Sequence, residues 1–171
     1  MGQTILKYTV RFIFLITVQV LILNQIKFSG YFTPYIYIAF ILMLPLDIPK
    51  TALLILSFML GIVIDMFSNS PGMHAAACVF MAFCRPAVIN LISIKKDFED
   101  GITPTVKNMG AKWVFLYTLI LVFIHHSFLF FVEIFSFNEF FKTISRAFLS
   151  SMFSFLIIII SHYLFEKLSK K

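Results

Sequence analysis

The strongest constraint on this chain is a series of six apolar runs, at 12–26, 31–46, 52–67, 73–94, 113–135 and 147–165, divided by short polar or charged punctuation. A helix needs about 20 apolar residues, within a range of roughly 17–25, to cross the hydrocarbon of a bilayer. The last three runs reach that length; the first three are short at about 15–16 residues and need flanking residues, a thinned bilayer or neighbouring helices. Of the 171 residues 60% are hydrophobic and 13% charged, against about 45–50% and 25% in soluble domains. A water-soluble fold of this size still exposes roughly a third of its unfolded surface, which leaves no place for so much apolar area. The pattern predicts an all-α, polytopic membrane bundle of about six transmembrane helices, forming a single domain over 1–171.

Basic residues orient the bundle. With the amino terminus inside, the inner segments hold Lys7, Arg11, Lys50, Lys95, Lys96, Lys107, Lys112, Lys167, Lys170 and Lys171, and the outer ones only Lys27, Lys142 and Arg146. That bias predicts both termini on the cytoplasmic side. The net charge of +6 is therefore read as membrane-surface charge, where each cation near anionic lipid contributes about 1 kcal/mol. It is not a nucleic-acid footprint, because no basic patch is interleaved with stacking aromatics. The first apolar run follows a basic flank but runs into Asn24-Gln25 and Lys27 with no small-x-small cleavage site, so it reads as a retained span.

Between the runs, Pro45, Asp47 and Pro49 punctuate 45–51, and Ser68-Asn69-Ser70-Pro71-Gly72 is a tight-turn sequence. Ser57, Gly61 and Asp65 recur every fourth residue and share a helix face; Ala75, Cys78, Ala82 and Arg85 do the same on the next run. Small residues at that spacing let two backbones approach in lipid, so the third and fourth runs are expected to form an antiparallel hairpin. Ser150, Ser154 and Ser161 make a similar polar seam on the last run.

The ionisable residues at membrane depth are the functional candidates. Asp65 reads most simply as a cap on the Ser68–Gly72 turn or a partner for His74, and more sharply as an ion-coupling carboxylate. Arg85 demands an interhelical partner. His126 and Glu133, seven residues apart beside His125, share a face, but one histidine and one carboxylate do not make a metal site; buried hydrogen bonding is the expectation. Cys78 and Cys84 are read as packing residues that neither bridge nor chelate. No nucleophile elbow, phosphate loop, zinc motif or catalytic carboxylate pair is found, so the expectation is a non-enzymatic protein with no cofactor and no metal.

The stretch from Leu60 through Gly61, Asp65, Ser68-Asn69-Ser70-Pro71 to Gly72-Met73-His74-Ala75 resembles the signature of the rod shape-determining MreD family. There an apolar helix ends in G-x-x-x-D, followed by a small polar turn and G-[LM]-H-A. Chain length, span number, basic amino terminus and charged carboxyl tail extend the likeness over most of the sequence. The segment from Lys112-Trp113 through His125-His126 to Glu133 is similar to Bacteroidota members of that family. The resemblance implies an inner-membrane component of the cell-elongation machinery that docks an MreC-like bitopic protein. Through it the protein would reach an MreB-like actin, a RodA-like glycosyltransferase and its transpeptidase, and so help control cell shape and peptidoglycan synthesis. Gly61, Asp65, Gly72 and His74 are then the motif residues, expected to fix the hairpin. The alternative expectation is an S-component-like subunit that binds a vitamin-type substrate for transport. It calls for a polar cavity under the outer loops, where the sequence places few polar residues and the 23 phenylalanines suggest filled space.

Overall fold

The computed structural model describes residues 2–25, 33–93, 101–136 and 139–168, and among these every regular element is helical. The elements are α1 (Gly2–Leu21), continued by a 3-10 turn at Leu23–Gln25, then α2 (Ala39–Leu42), α3 (Lys50–Ser68), α4 (Met73–Ile92), α5 (Val106–Met109), α6 (Ala111–Ile134) and α7 (Phe140–Leu168). Five helices, α1, α3, α4, α6 and α7, are long and apolar enough to cross a membrane. Lys27 and the charged connection 95–100 lie outside the described residues.

Large apolar side chains cover the outside of the bundle: Met66, Phe83, Leu91, Phe141 and Ile160 are all more than half exposed. Exposure on that scale fits a lipid surround, since soluble monomers rarely show contiguous apolar patches of more than a few hundred Å². The helices form a ring. α3 packs on α4, α4 on α6 and α6 on α7, and α1 closes the circle against α3 and against α7 through an edge-to-face Phe14–Phe165 pair.

The run at 31–46 departs from expectation. It is not a spanning helix: within its described part, the helix α2 has four residues, preceded by extended chain from Thr33. Pro34 and Pro45 bracket it, and the α region is disfavoured for the residue before a proline. The segment instead fills the centre of the ring, with Tyr37, Ile38, Ile41 and Leu42 completely buried. Irregular backbone at membrane depth survives only when surrounded by protein that satisfies its polar groups. Here α1, α4, α6 and α7 supply partners. Gln19 of α1, itself fully buried, accepts from Ile36 N–H at 2.8 Å and donates to the Pro34 carbonyl at 3.2 Å. Ser154 of α7 accepts from Tyr35 N–H at 2.8 Å. From α4 and α6, Arg85 and Tyr117 cover the carbonyls of Leu42, Leu44 and Pro45, and Leu46 N–H reaches Ile102 O at 2.8 Å.

Four of the long helices, α1, α3, α6 and α7, are also longer than the apolar runs that announce them, whereas α4 ends at Ile92, inside its run of 73–94. α1 and α3 have 20 and 19 residues, removing the shortness expected of those spans. α7 begins at Phe140, which brings Arg146, expected in an outer loop, onto the helix.

Candidate functional site

The α3–α4 hairpin builds its closed end from the residues the sequence singles out. Asn69 adopts the left-handed conformation (φ 57°) and ends α3; Gly72 adopts it (φ 80°) immediately before α4. Ser57, Gly61 and Asp65 are buried on one helix, and Ala75, Cys78, Ala82 and Arg85 on the other. Gly61 is where the backbones meet. A Cβ there would lie 2.6 Å from Ala75 N and 2.8 Å from the His74 carbonyl carbon, distances no side chain tolerates.

That closeness brings Asp65 under the first turn of α4. Its Oδ1 accepts from Ser70 Oγ at 2.6 Å and His74 N–H at 3.0 Å; its Oδ2 accepts from Ala75 N–H at 2.9 Å. Two of the four N–H groups that begin any α-helix without an intrahelical partner are thereby satisfied, and the carboxylate sits at the positive end of the helix dipole. Asp65 is a cap supplied across the hairpin. It holds the main chain of His74, leaving the imidazole for another task.

The His74 imidazole points to the ring's centre. Tyr37 Oη lies 2.8 Å from His74 Nδ1 and 3.0 Å from His125 Nε2. A hydroxyl has one proton and two lone pairs, so at most one of the two imidazoles accepts from Tyr37 and at least one donates to it. His125 Nδ1 has no hydrogen-bond partner, and Cys78 Sγ lies 3.9 Å from its Nε2. His126 is separately fixed. Its Nδ1 is 2.8 Å from the Val122 carbonyl, which can only accept, so Nε2 receives the Ser154 hydroxyl at 2.8 Å. His126 and Glu133 are not brought together: Glu133, near the end of α6, pairs with Arg146 of α7 at 3.1 Å.

Arg85 is completely buried and, among the described residues, meets no carboxylate. Its Nε donates to Tyr117 Oη at 2.6 Å, while its two terminal nitrogens donate to Pro45 O at 3.1 Å and Leu44 O at 2.5 Å. Tyr117 passes its own proton to Leu42 O at 3.1 Å and stacks on Trp113, whose indole N–H binds Ser93 Oγ at 2.9 Å. The predicted interhelical contact is thus a clamp on the non-helical central chain.

Above the hairpin turn a cavity of about 590 Å³ opens between the ends of α1, α3, α6 and α7, with Asn24, Thr33, Ser70, His74, Glu133 and Arg146 on its walls. The expectation of filled, apolar space at this end is corrected. The polar lining is assembled from residues scattered over the whole chain, each isolated in its own segment. Comparison with protein-family models, curated proteins and solved structures finds no match. The sequence-predicted residues divide by geometry into the hairpin cap (Gly61, Asp65, Gly72), buried imidazoles at the ring's centre (His74 and His125 on Tyr37, His126 on Ser154), a core clamp (Arg85) and an ion pair at the cavity wall (Glu133 with Arg146). Gln19, Tyr37 and Tyr117 escape the sequence reading; a lone glutamine inside an apolar run was the available signal for the first. Among the described residues, no group of three or more His, Cys, Asp or Glu is arranged to hold a metal ion.

Proposed function

We propose that the protein is a non-enzymatic, multi-pass component of the bacterial inner membrane that docks an MreC-like bitopic partner. Through that partner it would act with an MreB-like actin, a RodA-like glycosyltransferase and its transpeptidase in controlling cell shape. One observation carries this reading: the residues of the MreD-like motif act as one physical unit. Gly61 permits the approach, Asp65 caps the facing helix, Gly72 allows the turn and His74 ties it to the core. A motif spent on rigidity suits a preorganised docking surface better than a reaction centre.

A second part of the proposal is topological. The amino-terminal part of α1 and the carboxyl-terminal part of α7 line one cavity, together with residues 103–107, while the ends of α1 and α3 and the start of α7 line the other. On this reading the chain between Gln25 and Lys50 travels the length of the bundle, for six crossings with five helices. Lys7, Arg11, Lys50, Lys107 and Lys112 fall at the first end and Lys142 and Arg146 at the other, which supports both termini being cytoplasmic.

The test is recovery of the partner from native membranes in gentle detergent. Enrichment of a bitopic MreC-like protein with the tagged chain, reduced in Asp65→Ala at equal abundance, is expected; its absence refutes the reading. The polar cavity favours one alternative, an S-component-like subunit for a vitamin-type substrate. Its volume lies within the roughly 300–1,000 Å³ of small-molecule sites, and His74, Glu133 and Arg146 offer donors and acceptors. Native mass spectrometry of the freshly purified protein separates the two: a stoichiometric small ligand supports transport, and a bare chain supports docking.

A further inference from the structure

The opposite end of the bundle holds a second, smaller cavity, of about 210 Å³, between the start of α1, the end of α7 and the 103–107 stretch. Arg11 and Lys107 give it two cations, with Lys7 and His162 also on its wall, and no carboxylate is among the described residues that line it. Arg11 is the informative member. It is 9% exposed, its Nε has no hydrogen-bond partner, and its guanidinium lies over the Phe165 ring, 5.0 Å from the centroid. Burying a cation is costly unless an opposite charge and hydrogen bonds compensate it. None of the described residues lining the cavity supplies that charge.

We propose that this cavity is an anion site that takes a phosphate group, from a phospholipid headgroup or from a soluble phosphate. A guanidinium fork beside ammonium groups matches phosphate oxygens in charge and geometry, and Thr103 and Thr105 add hydroxyls that can donate. Two features favour the lipid as source. The cavity is smaller than the roughly 300–1,000 Å³ of sites that enclose whole small molecules, so it suits a headgroup whose remainder lies outside. Ile5 and Leu6 beside Lys7, and Tyr163 and Leu164 beside His162, are more than half exposed, so an apolar surface for acyl chains flanks the basic mouth.

The test is the thermal unfolding of the purified full-length protein in a neutral detergent, titrated with phosphatidylglycerol, with phosphatidylcholine, or with sodium phosphate against chloride at equal ionic strength. Phosphatidylglycerol is expected to raise the unfolding temperature saturably and phosphatidylcholine much less. The apparent affinity should fall at least tenfold in Arg11→Gln and several-fold in Lys107→Gln, and stay unchanged in Lys50→Gln, which lies outside the cavity. A phosphate effect beyond that of chloride, with the same dependence on Arg11, assigns the site to soluble phosphate. Equal responses to both lipids with no phosphate effect, or an anion response that survives Arg11→Gln, overturns the proposal. Should Arg11→Gln fail to fold, Lys107→Gln on the exposed rim decides: an undiminished response overturns it.

Discussion

Gly61→Ala adds one methyl group at the closest approach of the two hairpin helices, and its consequence can be worked from distances. The new Cβ would start 2.6 Å from Ala75 N and closer still to Ala75 Cα, where ordinary contact begins near 3.4 Å, so the backbones must part by at least 0.8 Å (3.4 − 2.6). The same movement stretches Asp65 Oδ2 to Ala75 N from 2.9 to about 3.7 Å and Oδ1 to His74 N from 3.0 to about 3.8 Å, where no hydrogen bond remains. Overpacking costs about 1–3 kcal/mol, and each hydrogen bond to a charged group is worth about 1.5–3 kcal/mol. Partial relaxation keeps some of each bond, so the expected loss is about 3 kcal/mol, or roughly 6–12 °C in unfolding temperature for a chain of this size. Thermal unfolding in detergent, followed by tryptophan fluorescence or circular dichroism, measures it. The clash is with backbone atoms of residues 74 and 75, so adding Ala75→Gly should restore nothing. A loss below about 1 kcal/mol, or a rescue by Ala75→Gly, would refute the account of the hairpin.

Asp65→Ala strips the cap from α4 and orphans Ser70 Oγ and two N–H groups; about 3 kcal/mol of stability should go, with Asp65→Asn losing less because one acceptor oxygen remains. Gly72→Leu meets open space but must adopt φ +80°, so it should cost about 1–2 kcal/mol and reduce abundance in the membrane without changing the span pattern seen by cysteine labelling. Arg85→Met leaves the carbonyls of Leu44 and Pro45 without donors at about 1–3 kcal/mol each, offset in part because a buried cation is gone. A net loss of about 2–4 kcal/mol is expected, with proteolytic cleavage appearing between residues 33 and 46 before it appears in the long helices.

The hairpin was legible because its information is local. Ser57, Gly61 and Asp65 repeat at the helical interval, and the turn between them and His74 carries its own punctuation. The central segment was not, because hydropathy records whether side chains prefer lipid and says nothing about where backbone N–H and C=O groups find partners. Residues 33–46 are apolar enough for a helix, yet their hydrogen bonds go to Gln19, Arg85, Tyr117 and Ser154, which stand 15 to 119 positions away. The larger cavity was missed for the same reason: Asn24, His74, Glu133 and Arg146 look unrelated until α1, α4, α6 and α7 are closed into a ring. Pro34 and Pro45 were a weak local clue, since α4 runs through Pro86 without breaking.

The central segment also fixes the order in which the protein can be made. While the ribosome is still extending the chain, residues 33–46 have left it long before Ser154. A span-sized apolar stretch with unpaired backbone cannot rest in lipid, where each orphaned polar group costs several kcal/mol. Its final course must be adopted last, after the carboxyl-terminal helix has arrived, even though it is among the first parts synthesised. A chain cut short before α7 would accordingly hold four good spanning helices and no stable centre, and would be a substrate for membrane proteases and not a smaller working version of the protein.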